Sequence, residues 1–164
     1  MVLFFIDVGT RKVQIAGIDE APDGAWMQQM ARNQTDAIDG FLLGKRYLIH
    51  DRDPLYTAKF DEMMKGSGIT PKRLQAYRPT MNSFAESFIK TIKSECLNKL
   101  ILTSEAQLRY VLKEYIFYYN HCRFHRGLGG RMIEPLPQDE DGDTVEFNYL
   151  GGLLRSYRRV KRAA

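Results

Sequence analysis

Short apolar runs alternate with amphipathic segments along most of this chain, and this order limits the folds that it can adopt. Residues 2–6 and 13–18 are apolar runs of strand length separated by a turn, which predicts an antiparallel hairpin. Residues 47–49 form a third apolar run, and an extended piece is expected over residues 69–76. Because strands that alternate with helices usually form a sheet flanked by helices, the sequence predicts an α/β fold with parallel strand pairs.

Four helices are expected between and after these strands. The first begins at Asp23-Gly24 and runs to Gly44, and the second is capped by Thr57 and stopped by Gly66. The third carries Glu86 on its polar edge, and its apolar stripe consists of Ala85, Ile89, Ile92, Cys96 and Leu100. The fourth has an aromatic and aliphatic face typical of a core helix, which consists of Leu108, Val111, Leu112, Tyr115 and Tyr119.

Length and composition favour a single core of ordinary size. The chain has 164 residues, of which 44% are hydrophobic. It contains no run approaching the roughly 18 apolar residues that span a membrane, and it begins without a basic leader, so the cytoplasm is the expected location. Cys96 and Cys122 are expected to be reduced core residues, because thiols of a cytosolic chain rarely form a disulfide.

Two carboxylates lie where a strand end and a helix can bring them together. Asp51 is in the charged turn Ile49-His50-Asp51-Arg52-Asp53, and Glu86 follows 35 positions later. Sites in α/β sheets gather at the carboxyl ends of strands, where Asp51 falls. Opposed carboxylates of this kind hold divalent ions about 3.5–4 Å apart, one activating an attacking oxygen and the other stabilising the leaving oxygen. Their hard oxygen ligands favour Mg²⁺ or Mn²⁺.

Two lysines on the same predicted helix extend this candidate site toward a nucleic acid. Lys90 and Lys93 fall within about 40° of Glu86 around the helix axis, because each residue turns the helix by about 100°. A phosphate backbone that passes Glu86 would meet both ammonium groups. The sequence therefore predicts metal-dependent chemistry on DNA.

Each of these residues also has a purely structural interpretation. Ser83 and Glu86 have the spacing of a capping box, and the local pattern alone favours that role for Glu86. Asp51 can equally bond the backbone of its own turn, and exposed lysines are ordinarily solvated. His121 and His125 are four positions apart, but nothing nearby completes four zinc ligands, so a zinc site is not predicted.

Charge divides the chain into three segments. Residues 1–131 carry a net charge of +5 and are expected to form the folded domain. Residues 132–154 hold six acids and no base and predict an acidic solvated linker, whereas residues 155–164 hold five bases and no acid and predict a basic C-terminal arm. The arm is suited to contact DNA phosphates or to pair with the acidic linker, and the sequence does not decide between these roles.

Four stretches of the sequence, taken in order, resemble motifs of one protein family. They are Phe5-Ile6-Asp7-Val8-Gly9-Thr10-Arg11, residues 49–57, residues 78–88 followed by Lys93-Ser94-Glu95, and Tyr118-Tyr119-Asn120-His121-Cys122-Arg123-Phe124-His125. The family is that of integrase-type catalytic cores, found in bacterial insertion-sequence transposases and retroviral integrases. The motifs cover about residues 2–130 at compatible spacing, which makes the resemblance specific.

The resemblance implies a ribonuclease H-like mixed sheet flanked by helices, with residues 1–131 as a partial integrase catalytic core. It also implies a DDE-type polynucleotidyl transferase that cuts and joins DNA strands with a metal triad of two aspartates and a glutamate. Asp51 matches the second aspartate of this triad and Glu86 matches its glutamate, so both are predicted to be catalytic and to bind metal.

The same resemblance implies which residues meet DNA. Asn82, with Pro79, matches the loop that enters the glutamate helix, and Lys90 and Lys93 match positions that contact the DNA end. The expected partners are Mg²⁺ or Mn²⁺, DNA and further copies of the chain in a homo-oligomer. No membrane and no small-molecule cofactor are expected.

The resemblance also predicts that the chain is truncated at its N-terminus. In the family the first aspartate lies on a strand before the one matched by residues 4–7, and the chain begins too late to contain that strand. Asp7 therefore matches a non-catalytic position, and it could replace the missing ligand only through a shift of strand register. An upstream helix-turn-helix region is not expected either, so site-specific DNA binding is not predicted.

Three functions from different classes follow from these observations. The first is an integrase or transposase core that acts on DNA with divalent metal. The second is a catalytically inactive, truncated remnant that binds DNA or a full-length partner. The third is another ribonuclease H-like nuclease that acts on RNA or branched DNA.

Overall fold

The computed structural model of the protein describes residues 1–74 and 82–161. Within these residues the strands are β1 (Val2–Ile6), β2 (Val13–Ile18), β3 (Tyr47–His50), β4 (Thr70–Arg73), β5 (Asp143–Tyr149) and β6 (Leu154–Val160). The helices are α1 (Gly24–Gln34), α2 (Ala58–Gly66), α3 (Ser83–Glu95) and α4 (Glu105–His121). Short 3₁₀ turns cover Leu97–Lys99, Arg126–Leu128 and Leu150–Gly152.

The described strands pair in three two-stranded sheets: β1 with β2, β3 with β4, and β5 with β6. β3 and β4 run parallel, with Tyr47 opposite Thr70 and His50 opposite Arg73. Helices separate β2, β3 and β4 along the chain, so the predicted α/β class with a parallel strand pair is confirmed. Parallel and antiparallel pairs both occur among the described strands, as predicted for a mixed fold, and they form three small sheets.

The first two strands form the expected hairpin. Backbone hydrogen bonds join Asp7 N to Lys12 O at 2.9 Å, next to the turn, and Asp19 N to Met1 O at 3.1 Å, at the open end. The start of β1 therefore meets the end of β2, which is the antiparallel order.

The chain divides into two compact units, which are described separately. The N-terminal unit comprises Met1–Phe5 and Gln14–Ser87, and the C-terminal unit comprises Ile6–Val13 and Phe88–Ala164. In the N-terminal unit, α1 and α2 share a core with β1 and β3. Its buried side chains are Leu3, Phe5, Met27, Ala31, Leu42, Leu48, Phe60, Met64 and Ile69. Full burial of side chains of this kind stabilises a fold by roughly 1.5–3 kcal/mol each.

Capping side chains set the starts of both helices in the N-terminal unit. The Asp23 carboxylate accepts a hydrogen bond from Trp26 N at 2.7 Å, which starts α1 where predicted. The Thr57 hydroxyl accepts one from Phe60 N at 3.3 Å, which starts α2 where predicted.

The prediction that the first helix runs to Gly44 is wrong, because α1 ends at Gln34. Thr35 leaves helical geometry while its backbone N–H still bonds Ala31 O. The carboxylate of Asp36 then accepts the Ile38 N–H at 2.8 Å, a local hydrogen bond that competes with continuation of the helix.

In the C-terminal unit, α3 and α4 supply most of the core. Its buried apolar residues include Phe88, Ile92, Cys96, Val111, Leu112, Tyr115 and Tyr119. The predicted apolar face of α4 is confirmed, but the buried side of α3 is rotated from the predicted stripe: Phe88 is 2% exposed and Ile89 is 37% exposed. Phe88 packs edge-on against Tyr119 with ring centroids 5.1 Å apart, so this aromatic contact helps set the side of α3 that is buried.

Residues 143–160, which the sequence divides between a solvated acidic linker and a basic C-terminal arm, form a β-hairpin. β5 lies within the acidic segment, β6 lies almost wholly within the basic one, and their antiparallel ladder runs from Asp143 opposite Val160 to Tyr149 opposite Leu154. The two segments therefore pair with each other, which is the alternative that the sequence left open. The pairing is a backbone ladder, and the charged side chains add contacts such as Arg155 Nε to Glu146 Oε1 at 3.8 Å.

Tyr149 attaches this hairpin to α4 within the C-terminal unit. Its hydroxyl lies 3.2 Å from Cys122 Sγ and 3.4 Å from Ser156 Oγ, and its ring centroid lies 5.6 Å from that of Tyr118. A buried tyrosine hydroxyl with polar contacts of this kind provides both packing area and orientation.

The cysteines have the environments that the sequence predicted. Cys96 and Cys122 are buried and are not joined by a disulfide. Burial raises the pKa of the Cys96 thiol to about 11, so the thiol is protonated at neutral pH. In the part of the chain that the structure describes, every helix is too short or too polar to cross a membrane.

Candidate metal and DNA site

Asp51 directly follows the last residue of β3 and is exposed. Its Oδ1 accepts a hydrogen bond from Asp53 N at 3.1 Å, and Asp53 Oδ1 in turn accepts one from Leu55 N at 2.9 Å. The structural interpretation of the turn is thus present in the structure. It does not exclude metal binding, because a carboxylate has about four acceptor positions and this bond uses one of them.

The strand ends around Asp51 are tied together beyond the β3–β4 ladder. Leu74 N donates to His50 O at 2.9 Å, and Arg52 Nε donates to Leu74 O at 3.0 Å. These bonds hold the turn at the carboxyl ends of two parallel strands, which is the usual location of a site in an α/β sheet.

The Asp51 turn has a negative electrostatic environment. Burial, together with the charges of Asp51 and Asp53, raises the pKa of Tyr56 to about 12. A field that opposes formation of a phenolate favours a bound cation. Burial lowers the pKa of His50, which precedes Asp51, so its ring is neutral at pH 7.

Asp7 is engaged in the turn of the first hairpin. Its Oδ1 accepts hydrogen bonds from Gly9 N at 2.7 Å and Thr10 N at 2.9 Å. This gives Asp7 a structural role in the turn, and it agrees with the match of Asp7 to a non-catalytic position of the family motif.

Glu86 is exposed and lies in the first turn of α3. α3 begins at Ser83, so Glu86 is its fourth residue, and the capping role of Ser83 stays a prediction. Among the described residues, no hydrogen bond to the Glu86 carboxylate and no ion pair with Lys90 is found. A carboxylate in the first turn is nevertheless favoured by the helix dipole.

The predicted DNA-binding residues follow the same helix. Asn82 directly precedes α3 and is half-buried, whereas Lys90 and Lys93 are exposed on the turns after Glu86. Pro79 lies outside the described residues. Asp51 and Glu86 belong to the N-terminal unit, and the two lysines belong to the C-terminal unit.

Within residues 1–74 and 82–161, no group of three or more histidine, cysteine, aspartate or glutamate side chains is placed to hold a metal ion. Asp51 and Glu86 are both described residues of the N-terminal unit, and their pairing at a metal ion stays a prediction.

Sequence analysis missed an ion pair that fixes the end of α3. Arg123 Nη2 donates to Glu95 Oε1 at 2.7 Å and Arg123 Nε to Oε2 at 3.0 Å, while the Tyr115 hydroxyl donates to Oε2 at 3.0 Å. The hydrogen bonds to Glu95 raise the pKa of Arg123. Both residues occur in the quoted family motifs, but neither motif indicates that the two side chains meet.

Other residues of the tyrosine, asparagine, arginine and histidine motif also have structural roles. Asn120 bonds both backbone groups of Val13, accepting from Val13 N at 3.0 Å and donating to Val13 O at 2.9 Å. His125 Nε2 donates to Tyr119 O at 2.8 Å, and its Nδ1 lies 3.3 Å from Arg123 Nη1. The carbonyl can only accept, so the proton is on Nε2 and Nδ1 is left to accept from Arg123.

Parts of the chain are similar to an integrase family model and to two proteins of insertion elements. Residues 67–132 match the family model described as "Integrase core domain". The chain is 35% identical over 79 residues to the insertion element IS407 uncharacterized 31.7 kDa protein of Burkholderia multivorans, a match that covers 48% of this chain and 28% of that protein. It is 29% identical over 128 residues to the insertion element IS476 uncharacterized 39.2 kDa protein of Xanthomonas euvesicatoria, covering 77% of this chain and 36% of that one.

A solved structure has a similar fold. A chain in the cryoEM structure of the simian T-cell lymphotropic virus intasome in complex with PP2A regulatory subunit B56 gamma superimposes with a TM-score of 0.55 and 14% identity. The match covers 98% of this chain and 65% of that chain. The protein thus spans about a third of the length of the curated relatives described above.

These matches make the chain similar to integrase-type proteins over part of its length: residues 67–132 match the integrase core model, and both relatives come from insertion elements. The predicted resemblance is thus supported over this stretch, and the fold is similar to that of a chain in the intasome structure.

The Glu95–Arg123 ion pair yields a stability prediction. Arg123→Gln removes both hydrogen bonds to a partly buried carboxylate, so we expect the free energy of unfolding to fall by about 1–3 kcal/mol. Arg109→Gln is the control, because it breaks the exposed Glu105–Arg109 pair on α4 and should cost less than about 0.5 kcal/mol. Urea unfolding of both variants measures the difference, and equal losses would contradict this role of the ion pair.

Proposed function

We propose that this chain is the core part of a DNA integration or transposition enzyme that cuts and joins DNA strands with a divalent metal. The observation that carries this proposal is the position of Asp51 at the carboxyl ends of the parallel strands β3 and β4, in the same compact unit as Glu86. The integrase core match and the insertion-element relatives support the DNA substrate.

The two carboxylates fit a hard divalent cation. Asp51 and Glu86 are both exposed, both supply oxygen ligands, and the described contacts leave acceptor positions on each. Mg²⁺ and Mn²⁺ prefer such ligands. No third acid is grouped with Asp51 and Glu86 among the described residues. Asp7 accepts backbone hydrogen bonds in its own turn. We therefore propose that the remaining ligand comes from outside these residues.

The reaction proposed is an in-line attack on a phosphodiester, first by water at the end of the element and then by the freed 3′ hydroxyl on target DNA. Asp51 and Glu86 would hold Mg²⁺ or Mn²⁺, which activates the attacking oxygen and stabilises the leaving one. Lys90 and Lys93, on the turns of α3 that follow Glu86, would bind DNA phosphates. Asn82 would contact the DNA where the chain enters α3. No covalent bond between protein and DNA is required.

A second function is favoured by one feature of the structure. Because no trio of metal-binding side chains is found among the described residues, we propose as the alternative that this part of the chain lacks one ligand of the metal site. It would then bind DNA, or a full-length copy of the enzyme, without cutting. By analogy with the intasome to which the fold is similar, we propose that the chain works as a homo-oligomer on DNA.

Strand transfer on a branched DNA substrate in Mn²⁺ tests the catalytic proposal. We expect Asp51→Asn and Glu86→Gln each to lower the rate by about 100-fold or more, because each removes a charged metal ligand. Asp53→Asn is the matched control: it removes a charge from the same turn but keeps an oxygen to accept the Leu55 N–H, so we expect a change below about threefold.

Each result of that assay separates the two functions. Activity that survives Asp51→Asn and Glu86→Gln would contradict the assigned ligands. No product from the wild-type chain, when circular dichroism shows a cooperatively folded protein, would favour the binding function over catalysis.

DNA binding tests the lysines independently of catalysis. We expect Lys90→Gln with Lys93→Gln to weaken binding to duplex DNA and to lower the slope of log affinity against log salt by about 1.8, since each phosphate contact contributes about 0.9. The control is Lys99→Gln with Lys113→Gln, which removes the same charge from exposed positions elsewhere in the C-terminal unit. Fluorescence anisotropy over a range of salt concentrations gives the slope, and equal slopes for both double variants would contradict the assignment.

A further inference from the structure

His50 is a buried polar residue next to the proposed metal ligand. It is the last residue of β3 and is 4% exposed, whereas Asp51, which follows it, is exposed. The Nδ1 atom of His50 lies 2.8 Å from the carbonyl oxygen of Asp51. A carbonyl only accepts, so Nδ1 carries the proton and holds the peptide group that follows Asp51.

The His50 ring is held on its faces by aromatic side chains. The Tyr56 ring centroid is 4.1 Å from that of His50, and the Phe60 centroid is 6.3 Å away in an edge-to-face arrangement. Phe60 is fully buried in the core of the N-terminal unit. The imidazole therefore packs against Tyr56 of the following turn and against Phe60 of the core.

The opposite edge of the ring faces a carboxylate that is itself held in place. His50 Nε2 lies 3.7 Å from Asp61 Oδ1, and neither buried atom has a hydrogen-bond partner among the described residues. Asp61 Oδ2 accepts from Arg73 Nη2 at 3.2 Å, and the same nitrogen donates to Tyr56 O at 3.1 Å. Arg73 pairs with His50 in the parallel ladder.

His50 connects the core of the N-terminal unit to the backbone carbonyl of Asp51. A histidine that serves only as packing would not need a buried Nε2 without a hydrogen-bond partner, since an apolar ring would fill the same space without that cost. His50 nevertheless has this unpartnered Nε2, and its other ring nitrogen, Nδ1, bonds the backbone carbonyl of Asp51. The Asp51 side chain has in addition the turn bond to Asp53 N, which is exposed and short-range.

We propose that His50 is a positioning residue that sets the direction of the Asp51 carboxylate and thereby the affinity of the site for a divalent metal. The proposal rests on the function proposed above, in which Asp51 is a metal ligand. Residues that do not touch a metal often orient its ligands through hydrogen bonds. His50 would do so through the backbone carbonyl of Asp51.

Two substitutions separate the hydrogen bond from the packing. His50→Asn places an amide N–H at the same number of bonds from Cα as Nδ1, so it keeps the donor and loses the ring. His50→Phe keeps the ring between Tyr56 and Phe60 but has no donor. Binding of Mn²⁺ itself, followed by the electron paramagnetic resonance of the free ion, reports metal affinity, and the thermal midpoint reports stability.

The two measurements are expected to rank the variants in opposite orders. His50→Phe should weaken Mn²⁺ binding by about 10-fold or more, the usual effect of losing an orienting partner, and His50→Asn by less than about threefold. In thermal stability, His50→Asn should be the worse of the two because it leaves a cavity in the core. A residue with a packing role alone would give the same order in both measurements.

Three results would overturn the proposal. Wild-type affinity in His50→Phe, or equal losses of affinity in both variants, would show that the hydrogen bond does not set metal binding. Mn²⁺ binding that is unchanged in Asp51→Asn would show instead that Asp51 is not a ligand, and the proposed function would fail together with the role of His50. Loss of binding in Asp51→Asn with wild-type binding in His50→Phe would remove the His50 proposal alone.

Discussion

The paired charges of Glu95 and Arg123 fix the end of α3 to the segment that follows α4, and the arrangement of the C-terminal unit depends on this pair. The contact is bidentate and partly buried, and Tyr115 adds a third donor to the same carboxylate. Lys93 lies in the last turn of α3, two positions before Glu95 and in the same unit as the ion pair. The ion pair therefore holds the part of the helix that carries this lysine of the proposed DNA-binding pair.

Local chemistry explains the parts of the fold that the sequence predicted. Apolar runs of strand length indicated β1, β2 and β3, and the capping side chains of Asp23 and Thr57 marked the starts of α1 and α2. Contacts between distant residues explain what the sequence did not predict. The buried side of α3 follows from the packing of Phe88 on Tyr119, and the pairing of β5 with β6 replaced what composition alone described as a linker and an arm.

The sequence predicted which residues belong to the candidate site, but not the side chains that surround them. Asp51 lies at the strand end that the sequence indicated, and the turn bond to Asp53 shows that a structural role and a free carboxylate oxygen can coexist. The burial of His50 beneath this turn was not predictable, because it depends on Tyr56 and Phe60 from the following turn and helix. Asp7 accepts two backbone hydrogen bonds in its own turn, and no group of three metal-binding side chains is found among the described residues.

The central claim is that Asp51 and Glu86 bind the same metal ion, and a Cd²⁺ titration of Glu86→Cys tests it most directly. A thiolate at this position gives an ultraviolet cadmium–sulfur absorption, while the native thiols contribute little because Cys96 and Cys122 are buried. The account predicts this absorption at low Cd²⁺ concentration in Glu86→Cys and its loss when Asp51→Asn is added. Absorption of equal strength with and without the Asp51 carboxylate would contradict the account, because the two side chains would then not share an ion.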